Sequence, residues 1–176
     1  MFSYTGAFSV AAAMGGAATT TSVDLAKRSA PKTTEQFEVN QLPLQEQKIV
    51  VMDTFEYFKY AKRKGLQFDC IVLDPPSFAR NKKKVFTVAK NYGELVSQSI
   101  DLLPEKGTLI ASTNAANLSL SRFRSIVEEA AEASGASFKV EKIYQLPADF
   151  KVNPQFIEGN YLKVLFLRIT KPNLSK

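Results

Sequence analysis

The chain contains no histidine and a single cysteine, Cys70. Without imidazole there is no side chain whose ordinary pKa sits near neutrality, and one thiol supports neither an internal disulfide nor a thiolate metal cluster. Zinc chemistry and histidine-based acid–base catalysis are therefore excluded, and no metal site is expected. Long hydrophobic runs are also missing. No stretch approaches the roughly 20 apolar residues of a membrane helix, so the expectation is a soluble, cytoplasmic chain with no membrane partner. Residues 1–18 are apolar and small but lack the basic n-region of a signal peptide. There is no Gly-x-Gly-x-x-Gly, no internal repeat and no low-complexity linker, so one domain is expected and a dinucleotide site is disfavoured.

What is present suits a globular fold. The 176 residues are 45% hydrophobic, with a mean hydropathy of −0.12, enough to bury a sizeable core. The net charge is +6 and the pI about 9.4, which favours a polyanionic partner. Basic residues cluster at Lys27-Arg28, Lys62-Arg63-Lys64 and Lys82-Lys83-Lys84; the cluster at 62–64, at a helix end, reads as a solvated face.

Apolar runs rich in Val and Ile alternate with stretches of helical period, the pattern of a parallel sheet covered on both faces. Strands are predicted at residues 20–24, 49–53, 68–74 and 108–113, and helices at 7–14, 26–40, 54–64 and 92–103. A further helix at 121–134, capped by Gly135, precedes two runs, 138–145 and 161–169, expected to pair antiparallel at a sheet edge. Ligands of such a sheet gather at the carboxyl ends of its strands. Met1 to Tyr4 read as the tail of a first strand, so the chain reads as cut on its N-terminal side; the slot left in the sheet predicts a homodimer or aggregation.

The chemistry-bearing residues fall at those strand ends. Gly6 stands where a strand turns sharply into a helix, letting backbone amides face a ligand, and Gly15-Gly16 read as a helix terminator. Asp24 ends the first predicted strand, where a carboxylate can accept both hydrogen bonds of a ribose diol; capping the following helix is the alternative. Asp53 ends the next strand, placed to accept from an adenine amine, with the same alternative. The strongest local signal is Phe68-Asp69-Cys70-Ile71-Val72-Leu73-Asp74-Pro75-Pro76-Ser77-Phe78. A buried strand ends in a carboxylate, and two prolines then deny the chain both helix and ladder donors, which makes a rigid loop able to hold a flat, amine-bearing base. Phe78 offers a stacking face, and Arg80, Lys82, Lys83 and Lys84 follow as phosphate contacts. Cys70, inside the strand, reads as a small core residue.

Residues 2–17, 19–29, 69–84 and Ser112-Thr113-Asn114 together resemble the RlmI-like and RlmK-like group of large-subunit ribosomal RNA methyltransferases, and Pro147-Ala148-Asp149-Phe150 and Asn160-Tyr161-Leu162-Lys163 extend the likeness to essentially the whole chain. The resemblance implies an α/β, Rossmann-like class I methyltransferase fold, a mostly parallel sheet with an antiparallel last strand, acting on ribosomal RNA with S-adenosylmethionine as cofactor. It implies Tyr4, Thr5 and Gly6 near the methionine moiety, Asp24 on the ribose, Asp53 near adenine and Asp74 at the target base; Phe2, Leu25 and Thr54 complete the cofactor-binding set, and Asp74 belongs to both sites. Asp74, Pro75, Pro76 and Phe78 form the implied catalytic group. Members of the group carry further N-terminal RNA-binding segments, PUA-like in the RlmI-like branch, which are not seen in this sequence.

One departure bears on the chemistry. Carbon-5 methylation of cytosine needs a cysteine that adds to the ring, and Ala111-Ser112-Thr113-Asn114 stands where that cysteine is expected. A ring nitrogen or exocyclic amine needs only orientation, because the sulfonium is already an activated electrophile. Two other readings compete: a non-catalytic RNA-binding module that has lost the cofactor pocket, and a nicotinamide-dependent oxidoreductase, which suffers from the missing glycines.

Overall fold

The computed structural model describes residues 1–80 and 85–171. The chain falls into two compact units, Met1–Tyr60 and Ala61–Lys176.

The first unit runs helix α1 (Ala7–Met14), strand β1 (Thr20–Asp24), helix α2 (Ser29–Val39), strand β2 (Gln47–Val51) and most of helix α3 (Thr54–Arg63). β1 and β2 pair in parallel from Thr20 opposite Gln47 to Asp24 opposite Val51, so α2 forms the crossover that a parallel pair requires. α1 packs on β1, and α2 on both strands. Val23 and Phe37 are wholly buried there. β1 also buries hydroxyls, and each finds a partner: Thr20 Oγ1 donates to Gln47 Oε1 at 2.5 Å and Ser22 Oγ to Ser9 Oγ at 2.8 Å. Gly15 and Gly16 end α1 as the sequence suggests, Gly16 with φ 91°.

α2 starts later than its predicted residue 26. Pro31 has no N–H, so it is tolerated only in a helix's first turn, where that donor has no intrahelical partner. With Ser29 as the first helical residue, Pro31 falls in that turn.

The second unit contains β3 (Cys70–Leu73), β4 (Phe78–Arg80), β5 (Val85–Thr87), α4 (Val88–Leu102), β6 (Thr108–Thr113), α5 (Leu120–Ala133), β7 (Ser137–Tyr144) and β8 (Lys163–Thr170). Its main sheet has the order β3-β6-β8-β7, with β3 and β6 parallel and β8 antiparallel to both of its neighbours. The pairing of the last two runs is thus as expected. β4 and β5 form a separate antiparallel hairpin that the sequence reading did not contain. Strands of three residues are too short to carry an alternation from which to read them.

Apolar periodicity explains the burial of the second unit. Tyr92, Leu95, Val96, Ser99 and Ile100 recur at helical spacing along one buried face of α4, and Phe123, Ile126, Val127, Ala130 and Ala131 do so along α5, so the two helices pack together. β8 alternates with period two, burying Lys163, Leu165, Leu167 and Ile169. Ser119 caps α5, accepting from Arg122 N at 3.2 Å. β7 is interrupted between Val140 and Lys142, so Glu141 bulges, and there it meets both ends of the Arg168 guanidinium at 3.1 and 3.2 Å.

Among the described residues the two parallel pairs belong to separate sheets, β1–β2 and β3–β6, and one expectation needs correction. Cys70 is exposed, not a core residue: it opens β3, a terminal strand of its sheet, and only Ile71 and Leu73 of that strand are buried.

Gly6 sets the entry to α1. Its φ is 82°, and a Cβ there would lie 2.5 Å from Thr33 Cγ2 on α2. Gly6→Ala combines left-handed strain with a clash against a buried side chain, so it is expected to cost about 1–3 kcal/mol. Chemical denaturation of the two proteins side by side checks this; an unchanged midpoint contradicts it.

Candidate functional site

In the first unit the carboxyl ends of β1 and β2 present Asp24 and Asp53. Asp24 Oδ2 accepts from Tyr4 N and Oδ1 from Ala26 N, each at 2.8 Å. It makes an Asx turn over its own chain while pinning the entry loop, and the helix-cap alternative fails because residue 28 flanks α2. That loop winds through positive φ at Phe2 (57°), Tyr4 (48°) and Gly6. Three bonds hold it: Ser3 N donates to Val23 O at 2.9 Å, Gly6 N to Ser3 O at 2.8 Å, and the Thr33 hydroxyl to Tyr4 O at 3.3 Å. Ser3, Tyr4, Asp24, Ala26, Ser29 and Val51 line a narrow cleft there. Tyr4 and Leu25 are largely exposed, while Gly6 and Thr54 are buried.

Asp53 does what the alternative reading of it supposed. Its Oδ1 accepts from Phe55 N at 3.0 Å and Glu56 N at 3.4 Å, which makes it the cap of α3. Met52 N donates to Asp24 O at 2.9 Å, so the β1–β2 pairing continues to the residue before Asp53 and both carboxylates stand at the same end of the pair.

The second unit holds the Pro-Pro loop. Asp74 directly follows β3 and is half-buried; Pro75 is buried, and Pro76, Ser77 and Phe78 are exposed, Phe78 at 60%. Three ties fix this loop and its neighbour after β6. Ser77 Oγ donates to Asn114 Oδ1 at 2.6 Å. Below them, the wholly buried Tyr92 donates its hydroxyl to Ser112 O at 2.9 Å, with Leu73 O at 3.4 Å. To one side, Lys163 Nζ donates to Ala115 O and Tyr161 O, each at 2.9 Å, while Thr113 Oγ1 accepts from Ala115 N at 3.2 Å. Loss of solvent, and then the negative charge of Asp74, push the Tyr92 phenol well above its ordinary range, so it remains a donor. Desolvation lowers the pKa of Lys163.

Tyr92, Asn114 and Lys163 were not among the site residues read from the sequence. Tyr92 sits in the apolar stripe of α4 and Lys163 at a core-facing position of β8, so periodicity reads both as packing positions. Arg80 ends β4, whereas Lys82, Lys83 and Lys84 lie outside the described residues. Among the described residues, no helix is long and apolar enough to cross a membrane.

Solved structures define the class of protein. SMU.776, assigned provisionally as a methyltransferase and crystallised with S-adenosylhomocysteine, superposes with a TM-score of 0.89 at 51% identity, covering 95% of this chain and 43% of that one. A Streptococcus mutans protein, provisionally a SAM-dependent methyltransferase, gives 0.86 at 48% identity, covering 95% and 43%. The fold is therefore the α/β, Rossmann-like fold of S-adenosylmethionine-dependent methyltransferases, closed by an antiparallel last strand. The family of S-adenosylmethionine-dependent methyltransferases matches residues 1–168, and this chain belongs to it. YwbD of Bacillus subtilis, provisionally named a ribosomal RNA large subunit methyltransferase, is 50% identical over 167 residues, 95% of this chain and 42% of its own length. Ribosomal RNA large subunit methyltransferase I of Escherichia coli is 32% identical over 168 residues, 96% of this chain and 42% of its own. The chain thus spans less than half the length of these relatives.

Tyr92→Phe keeps the ring and its edge-on contact with Phe123 but strips Ser112 O of its buried donor. The expected cost is about 1 kcal/mol, or a melting temperature lower by about 2–4 °C. A melt indistinguishable from wild type contradicts the assigned role of the hydroxyl.

Proposed function

We propose that residues 1–176 form the catalytic domain of an enzyme that methylates a base of large-subunit ribosomal RNA with S-adenosylmethionine. The observation that carries the proposal is the Asp74-Pro75-Pro76-Ser77 loop, tied to the end of β6, with the half-buried Asp74 at its start and the exposed Phe78 directly after it.

The residues of the first unit suit a nucleoside cofactor. Each Asp24 oxygen takes one backbone amide, and a carboxylate oxygen has a second lone pair, so the pair can also accept from a ribose diol. Tyr4, Thr5 and Gly6, with Phe2, lie on the methionine side in this reading; Leu25 flanks the ribose, and Asp53 and Thr54 the adenine. When bound, S-adenosylmethionine supplies a methyl group already activated by the sulfonium. The chain's own work is then orientation. Asp74 accepts a hydrogen bond from the base and takes the surplus proton once the nitrogen–carbon bond has formed, Pro75 and Pro76 hold that carboxylate in place, and Phe78 stacks on the base. Arg80, Lys82, Lys83 and Lys84 pair with RNA phosphates. The acceptor in this reading is a nitrogen: no thiol stands in residues 111–114, and Cys70 occupies the far end of β3 from Asp74. We extend the proposal to a cytoplasmic location and to a homodimer.

Calorimetric titration with S-adenosylmethionine tests the assignment. Asp24→Ala removes hydrogen bonds to a charged acceptor and should weaken binding by about 10- to 100-fold, while Asp74→Ala should bind as wild type does. A folded wild-type chain that binds RNA with steep salt dependence but no S-adenosylmethionine would instead favour the non-catalytic RNA-binding module.

A further inference from the structure

We propose that Asn114 reads the target base, its amide nitrogen donating to an acceptor on the base edge beside the group that Asp74 accepts. The inference rests on the reading of the Asp74 loop as the base site.

β3 and β6 are parallel neighbours, with Leu73 opposite Ala111, so Asp74 and Ser112 occupy the next step and Asn114 follows two residues on. Asn114 is exposed, as is Ser77 across from it. Its backbone is nonetheless held from below: the following residue, Ala115, is 5% exposed, donates to Thr113 Oγ1 and accepts from Lys163 Nζ, and Leu118 N closes a turn onto Ala115 O at 3.2 Å. An exposed polar side chain on a pinned backbone is arranged to present something. What it presents is decided by the 2.6 Å bond from Ser77. A primary amide has one acceptor oxygen and two donor hydrogens. With its oxygen engaged by the Ser77 hydroxyl, the amide keeps its two N–H donors to offer a base. A carboxylate that only accepts, on the strand neighbouring an amide that offers two N–H donors, complements a heterocycle with a donor next to an acceptor. The same pair discriminates against an edge with those groups exchanged, since buried polar groups would then go unmatched.

The competing account is that Asn114 serves only as the bracket that holds Ser77. Asn114→Asp separates the two, because a carboxylate still accepts from Ser77 but has nothing to donate. Methyl transfer from labelled S-adenosylmethionine to ribosomal RNA should fall about tenfold or more in kcat/KM for Asn114→Asp, with melting temperature and S-adenosylmethionine affinity unchanged. Transfer at the wild-type rate overturns the proposal.

A second measurement does not require turnover. In the 15N-labelled chain, the side-chain NH2 signals of Asn114, assigned by their loss in Asn114→Asp, are followed while the four ribonucleoside 5′-monophosphates are added one at a time. A shift of those signals with at least one nucleotide is expected. Silence with all four overturns the base-reading role. Failure to bind S-adenosylmethionine in the separate calorimetric titration would sink the methyltransferase reading instead, so the two failures are distinguishable.

Discussion

The last carbonyls of two parallel strands point past the end of their ladder, and where water is excluded each needs a donor from elsewhere. At the end of β3 and β6 that donor is the phenol of Tyr92, set between Ser112 O and Leu73 O and steadied by the edge of Phe123, 4.9 Å away between ring centres. Leu73 is the last residue of β3 and Ser112 the last but one of β6, so both carbonyls lie at the ends from which the Asp74 and Asn114 loops depart. Their separation is therefore governed by a ring anchored in α4, not by the loops themselves. The charge of Asp74 acts back on this arrangement: it opposes ionisation of the phenol, so the strand ends keep their donor.

Above that level each tie depends on the one beneath it. Ser77 reaches Asn114 because the strand ends are in register, and Asn114 holds still because Ala115 is gripped by Thr113 and Lys163. Lys163 is an unusual core residue. It occupies a core-facing position of β8 that alternation would give to an aliphatic side chain, and its burial is offset by donation to two carbonyls. An ammonium reaching two loops, 114–119 and 145–162, makes one side chain a shared anchor for both.

Sequence reading succeeded where the signal is local. Helix α1 and strands β1 and β6 match their predicted bounds, because a glycine pair or a polar turn adjoins each. It shifted α2 by treating Lys27 and Arg28 as helical when Pro31 required a later start, and it missed β4 and β5, whose three residues each are too few to show a pattern. The carboxylates show the same limit. The strand-end positions of Asp24, Asp53 and Asp74 were readable, yet only geometry separates a carboxylate that pins the entry loop from one that caps α3. Long-range bonds such as Tyr92 to Ser112 leave no trace in periodicity, since a buried tyrosine and a buried phenylalanine fit the same stripe.

The bulge in β7 has a consequence beyond its own strand. β7 ends the sheet, and a straight eight-residue edge with free amides would invite another chain to add to it. Glu141 breaks the regular spacing of those amides, and Arg168, which grips it from the neighbouring strand, keeps the break in place. With Lys139 and Lys142 on either side, a polypeptide approaching edge-on meets mismatched spacing and charge together. The edge strand β7 thus guards against cross-β aggregation while the newly synthesised chain is still finding its partners.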